Sequence, residues 1–283
     1  MVLVPSSSSV CLLRRRLFSS LATAAASHHV RSHSHPLTFS DTWAPATVSH
    51  LSPATADKTL FHLTLNFSSH PSLPARHLSP GQFLPLRIPS TSSPPLLLSI
   101  ASPPHLAQLH SHFELLVKRV TGSLSDTLCG MREGDLVEVG EVMGKGFQIP
   151  DVHAHEDVAL LLMFATGSGI SPIRSLIESG FNQDKKAQVH LYYGARNLDR
   201  MAYQDRFKYW ESSGVKVIPV LSRPDETWSG ARGYVQTTFL RDKQIPRPSS
   251  TGAVLCGHRQ MTEEITSILL AEGVSKEQIL TNF

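Results

Sequence analysis

The chain has 283 residues, of which 41% are hydrophobic, and this is long enough for two domains of typical size. Its net charge of +3 is too small to indicate nucleic acid or an anionic membrane surface as a partner. The three cysteines, Cys11, Cys129 and Cys256, form no C-x-x-C motif, so the sequence predicts no zinc or iron–sulfur site and fits a reducing compartment. No segment is apolar for long enough to predict a transmembrane helix.

Residues 1–36 have the composition of a targeting segment. No Asp or Glu precedes Asp41, serine and alanine are abundant, and several arginines supply positive charge. This composition predicts a transit peptide. The serine run at residues 6–9 favours the chloroplast, whereas the Arg-Leu-Phe-Ser-Ser sequence at residues 16–20 favours the mitochondrion, which is the alternative location.

Residues 43–150 have a β-like pattern. Short apolar or alternating runs are separated by Gly, Pro and Ser, which is typical of antiparallel strands. The predicted strands are residues 46–50, 60–67, 84–88, 96–101, 113–120 and 136–139, and a short helical turn is predicted at 128–131. Many short strands with frequent turns predict a small antiparallel barrel.

From residue 151 the pattern changes to an alternation of strands and helices, which is typical of a parallel α/β sheet. The predicted strands are residues 158–165, 189–193, 215–221 and 253–256, and the predicted helices are residues 173–179, 203–212 and 262–271. A further short helical pattern follows Tyr234. The polar stretch at residues 150–156 is the predicted domain boundary.

One stretch in the second half of the chain predicts a ligand site. The apolar strand at 158–165 is followed by Thr-Gly-Ser-Gly at 166–169 and then by a helix start that contains Pro172. A strand, a glycine turn and a helix N-terminus together direct backbone N–H groups and the helix dipole towards an anion. We interpret the stretch as a dinucleotide pyrophosphate site. An ordinary tight turn is the alternative, because Pro172 stands where the Rossmann fingerprint has its third glycine.

Seven motifs lie in one order along the chain. They are Ser-Ile-Ala-Ser at 99–102, Gly-Ser-Leu-Ser at 122–125, Gly-Lys-Gly-Phe at 144–147, Thr-Gly-Ser-Gly-Ile-Ser-Pro at 166–172, Tyr-Gly-Ala-Arg at 193–196, Ser-Arg at 222–223 and Cys-Gly at 256–257. With this order the chain resembles the ferredoxin–NADP reductase-like superfamily of flavin oxidoreductases from residue 43 to 283, and as a whole it is similar to a reductase-like group of plant fruit proteins. The resemblance implies a two-domain fold, in which a flavin-binding antiparallel Greek-key β-barrel at residues 43–150 is followed by a nucleotide-binding α/β domain with a parallel sheet at residues 151–283.

For the flavin, the resemblance implies FAD rather than FMN. Ser99 and its neighbours Leu98 and Ile100 would lie beside the flavin ring. Gly122 and Ser125 would hold the flavin phosphates at a helix start. Ser125 is also expected to cap the turn that follows it.

The chain departs from the family pattern immediately before Ser99. The family usually has Arg-x-Tyr there, whereas this chain has Leu96 and Leu98 at the two positions. The change removes a charge-assisted phosphate contact, which normally helps to hold FAD, and it removes a stacking ring. The flavin is therefore expected to be held more weakly or differently. Lys118, on the predicted strand that precedes Gly122, either faces the flavin phosphates or is a solvated surface lysine.

The resemblance also implies a nicotinamide nucleotide site. The pyrophosphate loop would consist of Thr166, Gly167, Ser168, Gly169 and Pro172. The adenosine end of the nucleotide would be bound by Ser222, Arg223, Arg232 and Tyr234, with Arg196 as a further contact. Guanidinium groups and a hydroxyl suit a 2′-phosphate and a tyrosine ring suits adenine, so NADPH is favoured over NADH. In the alternative interpretation the arginines are surface loop residues and the tyrosine lies in a strand.

Three residues are implied as catalytic: Ser99, Cys256 and Phe283. Cys256, with Gly257 and Met261 after it, would lie near the nicotinamide, or it would be a small core residue. Phe283 would cover the flavin face that receives the nicotinamide, or it would lie in a frayed terminus.

The resemblance therefore implies an enzyme that passes hydride from NADPH to bound FAD and electrons on to an unidentified acceptor. The acceptor has to be a separate protein or small molecule, because the sequence has no iron–sulfur motif. The first alternative is a non-catalytic nucleotide-binding or regulatory protein that kept the reductase fold with a weakened flavin site. The second alternative is an electron-transfer subunit that acts only within a larger complex.

Overall fold

The structure is a computed structural model that describes residues 42–89, 91–149, 158–184, 187–242 and 245–282. The predicted transit peptide, the predicted domain boundary and Phe283 lie outside these ranges. Within them, no helix is both long enough and apolar enough to cross a membrane.

The first half of the described chain is an antiparallel barrel. Its strands are β1 (Ala44–Pro53), β2 (Leu60–Asn66), β3 (Phe83–Arg87), β4 (Leu96–Ser99), β5 (His112–Lys118) and β6 (Leu136–Val139). Their order in the sheet is β4-β3-β6-β1-β2-β5, and a bridge between Ile100 and Leu115 joins the two edges. Because side chains alternate between the two faces of a strand, every second residue can enter the core, as Leu63 and Leu65 do. The predicted antiparallel barrel is confirmed.

The predicted barrel strands are all present, and their ends differ from the prediction by at most three residues. Helix α1 (Pro104–His110) is not predicted by the sequence pattern, although a proline is compatible with the first turn of a helix. The helical turn predicted at residues 128–131 is instead helix α2 (Leu124–Cys129), which begins four residues earlier.

The second half contains a parallel sheet. Its strands are β7 (Leu160–Thr166), β8 (Gln188–Ala195), β9 (Val215–Leu221), β10 (Ala231–Arg232), β11 (Thr251–Cys256) and β12 (Ile279–Thr281), in the order β10-β9-β8-β7-β11-β12. The helices are α3 (Ile170–Glu178), α4 (Phe207–Ser212), α5 (Val235–Asp242) and α6 (Arg259–Ala271). Alternate residues of β7 pack against α3 on one face and against α5 and α6 on the other. The predicted α/β half is therefore confirmed, and the apolar run of β7 reflects burial on both faces.

The prediction of this half missed the short strands β10 and β12, and it placed the helix starts differently from the structure. Helices α3 and α6 each begin three residues before the predicted start, at Ile170 and Arg259. The predicted helix at residues 203–212 is a 3-10 turn at Gln204–Arg206 followed by α4. Tyr203 has a left-handed backbone conformation, with φ of 61°, so a regular helix cannot include it.

Helix α3 connects the parallel sheet to the barrel. The hydroxyl of Ser171 donates a hydrogen bond to the backbone carbonyl of Ser99 at 3.1 Å. The guanidinium of Arg174, which is only 3% exposed, pairs with Glu114 on β5 and with Glu178. If α3 moved away from the barrel, the ion pair between the buried Arg174 and Glu114 would be broken, which is strongly unfavourable. This ion pair therefore fixes the position of α3 against the barrel.

Candidate functional site

The strand order of the parallel sheet reverses between β7 and β11, and open α/β sheets bind ligands outside the carboxyl ends of their strands at such a point. A cleft of about 1790 Å³ lies there. Its sheet wall is formed by the loops after β7, β8, β9 and β11, and its barrel wall by β4, the end of β5 and the loop before α2. Typical ligand pockets measure roughly 300–1,000 Å³, so this cleft has room for more than one nucleotide-sized group.

Most of the residues predicted from the sequence come together in this cleft. On the barrel wall they are Leu98, Ser99, Lys118 and Ser125. On the sheet wall they are Thr166, Gly167, Ser168, Gly169, Pro172, Arg196, Ser222, Tyr234, Cys256, Gly257 and Met261.

Four predicted residues, all within the described ranges, are not part of the cleft lining. Ile100 is fully buried in the barrel core. Gly122 lies in the loop before α2, where its N–H donates to the Asp126 carboxylate at 2.9 Å. Arg223 and Arg232 are exposed beside the sheet wall.

Glycine is required in the loop after β7 for two different reasons. Gly167 has a positive φ of 55°, and a Cβ added to it would meet no atom within 4 Å, so this glycine faces open cleft. A Cβ on Gly169 would instead collide with the backbone carbonyl of Cys256. A Cβ on Gly257, where φ is 132°, would collide with Thr166.

The loops after β7 and β11 are therefore packed backbone against backbone. The N–H of His258 donates to the Thr166 hydroxyl at 2.7 Å and ties them further. This contact places the start of α3, with Pro172 in its first turn, at the base of the cleft. From the sequence, the glycines are expected to let a diphosphate approach the backbone. The structure shows that they also allow the two loops to pack closely.

Ser99 and Cys256 lie on opposite walls of the cleft and are joined by Asn282. The Nδ2 atom of Asn282 donates to the Ser99 hydroxyl oxygen at 2.7 Å. Its backbone N–H donates to the sulfur of Cys256, which is 4% exposed. Burial raises the pKa of the Cys256 thiol, and the hydrogen bond from Asn282 opposes this rise. Cys256 is therefore a neutral thiol at neutral pH, and it is a buried residue that also lines the cleft.

Sequence reasoning did not identify Asn282. The signal for it is the register of β12, which pairs with β11 so that Thr281 lies opposite Leu255 and the next residue reaches Cys256. β12 has only three residues, which is too short to stand out in the sequence.

The barrel wall has an apolar strand where the family pattern has Arg and Tyr. Leu96 and Leu98 are half-buried and pack against the barrel core, whereas Leu97 between them is exposed. Two cations, Lys118 and Arg119, line the cleft at the end of β5. The Arg119 guanidinium pairs with Asp126 at 2.6 Å. Arg119 is thus a cleft residue that sequence reasoning missed.

The expected helix cap at Ser125 is wrong. Ser123 occupies the position before α2 and makes no side-chain capping bond. The hydroxyl of Ser125 instead accepts from the N–H of Val120 at 3.1 Å and pairs with the Ser123 hydroxyl at 2.9 Å. Ser125 therefore closes the loop between β5 and α2 from inside the helix.

The loops after β8 and β9 bring the predicted adenosine-end residues to one edge of the cleft. The N–H of Ser222 donates to the Ala195 carbonyl at 3.0 Å, and the N–H of Arg223 donates to the Arg196 carbonyl at 2.7 Å. Two guanidinium groups are thus carried on adjoining backbone segments. A phosphate monoester is the kind of ligand that such a pair suits.

Arg232 and Tyr234 differ in whether their side chains already have partners in the protein. The Arg232 guanidinium donates to the carbonyls of Asp225 and Trp228, at 3.1 Å and 2.6 Å, and so holds its own loop. Tyr234 is 65% exposed on the cleft rim. It lies between β10 and α5, so the alternative that placed it in a strand is wrong.

Comparison with known proteins agrees with this arrangement. The family described as "Oxidoreductase NAD-binding domain" matches residues 163–267. The fruit protein pKIWI502 of Actinidia deliciosa is 47% identical over 242 residues, which are 84% of this chain and 76% of that protein. A CDP-6-deoxy-L-threo-D-glycero-4-hexulose-3-dehydrase reductase of Yersinia pestis is 28% identical over 129 residues, which are 45% of this chain and 38% of the reductase.

A solved structure shares the fold at low sequence identity. It is a ferredoxin NADP+ reductase from Neisseria gonorrhoeae with bound FAD and NADP, at a TM-score of 0.69 and 20% identity over 84% of this chain and 97% of that one. The similarity to the Actinidia protein, which extends over both halves of the chain, decides the family. The chain belongs to the family of the kiwi fruit protein pKIWI502, and it shares its fold with ferredoxin–NADP reductases.

Proposed function

We propose that the chain is an NAD(P)H-dependent flavoprotein reductase that passes hydride from NADPH to bound FAD and electrons on to a separate acceptor. The observation that carries this proposal is the cleft, in which Ser99 of the barrel lies across from the glycine loop and Cys256 of the parallel sheet. The Neisseria relative has the same fold with FAD and NADP bound, which supports the choice of cofactors.

The residues of the cleft fit these two groups. Gly167 leaves an open position at the glycine loop, as a bound pyrophosphate would require. Leu98 offers an apolar surface and Ser99 a hydroxyl, as a flavin ring would require. When bound, the flavin and nicotinamide supply the hydride chemistry, and the protein supplies position and electrostatics.

The chain's own part in the reaction is to hold and orient. Cys256 keeps its proton, because burial disfavours the thiolate, so it serves as a small contact surface and not as a nucleophile. Helix α3 is fixed to the barrel through Arg174, and this sets the distance between the two walls. Phe283, next in sequence to Asn282, is proposed to cover the flavin face that receives the nicotinamide.

For the nucleotide we propose NADPH, because Arg196 and Arg223 are carried together at the edge of the cleft beside Ser222. Tyr234 is proposed to stack on adenine. The guanidinium of Arg232 is already bonded to two loop carbonyls, so its proposed part is to support the loop that carries Arg223.

For the flavin phosphates we propose Lys118 and Arg119, because both line the barrel wall and Leu96 offers no charge. Gly122 and Ser125 shape the loop that leads from these two cations to α2. Gly122 does so through its bond to Asp126, and Ser125 through its bond to Val120. A diphosphate held by these cations favours FAD over FMN, since the second phosphate adds a charge-assisted contact.

The absorption spectrum of the purified protein that lacks residues 1–36 tests the proposal. We expect a yellow protein that releases FAD on denaturation and oxidises NADPH with ferricyanide as acceptor. A colourless protein that takes up neither FAD nor FMN on reconstitution would contradict the flavoprotein function.

A second candidate is a nucleotide-binding or regulatory protein without turnover, and the half-buried leucines Leu96 and Leu98 favour it. The two candidates separate in one assay with protein reconstituted with FAD. Binding of NADPH without its oxidation, in a protein that unfolds cooperatively, would favour the regulatory function. Activity that returns only when a co-purified partner is added would instead indicate a subunit of a larger electron-transfer complex.

We also propose import into the chloroplast, on the composition of residues 1–36. A fusion of these residues to a fluorescent protein is expected to accumulate in plastids. Accumulation in mitochondria would select the alternative location.

A further inference from the structure

We infer that Asn282 is a positioning residue that sets the direction of the Ser99 hydroxyl, so that its hydrogen points into the cleft as a donor to the flavin ring. The inference deepens the proposed function and rests on it. It names a residue outside the sequence motifs and assigns it a role through Ser99.

The first step is the hydrogen bond itself. The Nδ2 atom of Asn282 donates to Ser99 Oγ at 2.7 Å. A serine hydroxyl has one hydrogen and two lone pairs, so an oxygen that accepts from Asn282 keeps its own hydrogen for another acceptor. An oxidised flavin ring carries acceptor nitrogens, and Ser99 lies on the cleft surface where the ring is proposed to bind.

The second step is that the Asn282 backbone is held independently of Ser99. It follows β12, which pairs with β11, and its N–H donates to the Cys256 sulfur. The side chain therefore extends from the sheet wall to the barrel wall from a fixed base. The backbone carbonyl of Ser99 is held as well, by the hydroxyl of Ser171 at 3.1 Å. With both backbones fixed, the side-chain torsions of Ser99 and Asn282 are the freedom that remains, and the bond between the two side chains restricts them.

The third step concerns the other end of the Asn282 amide. Its Oδ1 atom is buried and has no hydrogen-bond partner among the described residues. A buried acceptor without a partner is unfavourable. Because the nitrogen is the amide atom that contacts Ser99, Ser99 is the acceptor of this bond, and its own hydrogen stays available to a group in the cleft.

A double-mutant cycle of Asn282→Leu and Ser99→Ala tests the inference. Leucine keeps the branched shape and the number of heavy atoms of asparagine and removes both polar atoms. In FAD-loaded protein we expect Asn282→Leu to lower the hydride-transfer rate roughly five- to tenfold, as loss of one oriented hydrogen bond implies, with the KM for NADPH unchanged. The same change in a Ser99→Ala background should have no further effect. Equal effects in both backgrounds would overturn the inference, because Asn282 would then act independently of Ser99.

An Asn282→Asp variant tests the direction of the bond. A carboxylate only accepts, so it would draw the Ser99 hydrogen away from the cleft. We expect this variant to be at least as slow as Asn282→Leu and to shift the flavin absorption bands. A variant with the rate and spectrum of the wild type would show that the amide nitrogen does not orient Ser99.

Thermal unfolding of the cofactor-free variants separates this inference from the proposed function. The same two substitutions are expected to be coupled in their effect on Tm, because each removes one partner of the same hydrogen bond. Additive effects on Tm would overturn the inference whether or not the protein binds flavin. Coupled effects in a protein that binds no flavin would keep the Asn282–Ser99 contact, and would overturn both the proposed function and the role towards the flavin.

Discussion

The two walls of the cleft hold their residues in place by different means. On the sheet wall, Gly169 and Gly257 let the loops after β7 and β11 pack backbone against backbone. On the barrel wall, the polar contacts are made by side chains, such as the exposed pair of Arg119 and Asp126. Backbone packing tolerates almost no change, whereas exposed ion pairs contribute little stability. We therefore expect substitutions on the sheet wall to have larger effects than those on the barrel wall.

The largest effect is expected at Gly257. A Gly257→Val substitution places a side chain against Thr166 at a φ of 132°, where side chains are rarely tolerated. Backbone strain and the collision together should cost roughly 3 kcal/mol or more of unfolding free energy. Denaturant unfolding measures the loss. Gly167→Ala is the control, because its side chain would enter open cleft, and it should cost only about 1 kcal/mol while weakening nucleotide binding. Equal losses in the two variants would contradict the packing argument.

The next effect concerns acid stability of the barrel. His77 is fully buried in the described structure, and burial lowers its pKa to about 4, although the Ser79 backbone slightly favours the charged form. The unfolded chain binds the proton near the ordinary pKa of 6.5, so the unfolded state holds more protons between pH 6.5 and 4. Stability is then complete above pH 6.5 and falls by up to about 3 kcal/mol as the pH drops towards 4.

A His77→Leu variant removes this contribution without opening a large cavity. Its unfolding free energy, measured from pH 7 to 4.5, should decline less steeply than that of the wild type. Parallel curves for the two proteins would show that His77 is not the group that takes up the proton.

A smaller effect, on binding alone, is expected at the adenosine end of the sheet wall. Arg223→Ala should raise the KM for NADPH roughly 10- to 100-fold, as loss of a charge-assisted bond to a phosphate implies. The KM for NADH should change little, because NADH lacks the 2′-phosphate. Arg232→Ala is the matched control, since its guanidinium already bonds to loop carbonyls, and it should affect the two nucleotides more equally. Equal effects of Arg223→Ala on both nucleotides would remove the 2′-phosphate role.

The same contrast between backbone and side-chain contacts explains what the sequence could predict. The buried run of β7 and the glycines after it are local patterns, and they place the sheet wall correctly. Asn282 and Arg119 carry no such pattern. The partner of Asn282, Ser99, lies in the other half of the chain, and only the pairing of the short strand β12 with β11 brings the two together. Long-range contacts of single side chains are set by the completed fold and leave no local periodicity to detect.

The smallest effect is expected on the barrel wall, at Arg119. Its guanidinium lines the cleft while it pairs with Asp126, so only part of its charge is available to a flavin phosphate. Arg119→Ala should therefore weaken FAD binding by roughly fivefold, about 1 kcal/mol, and the loss should shrink at high salt. Arg76→Ala is the matched control, because Arg76 forms a similar exposed pair with Glu141 but is not part of the cleft lining within the described residues. Titration of the apoprotein with FAD measures both variants. If Arg76→Ala weakened binding as much as Arg119→Ala, the effect would come from overall charge, and the phosphates would have to be held by Lys118 or by the backbone of the loop before α2.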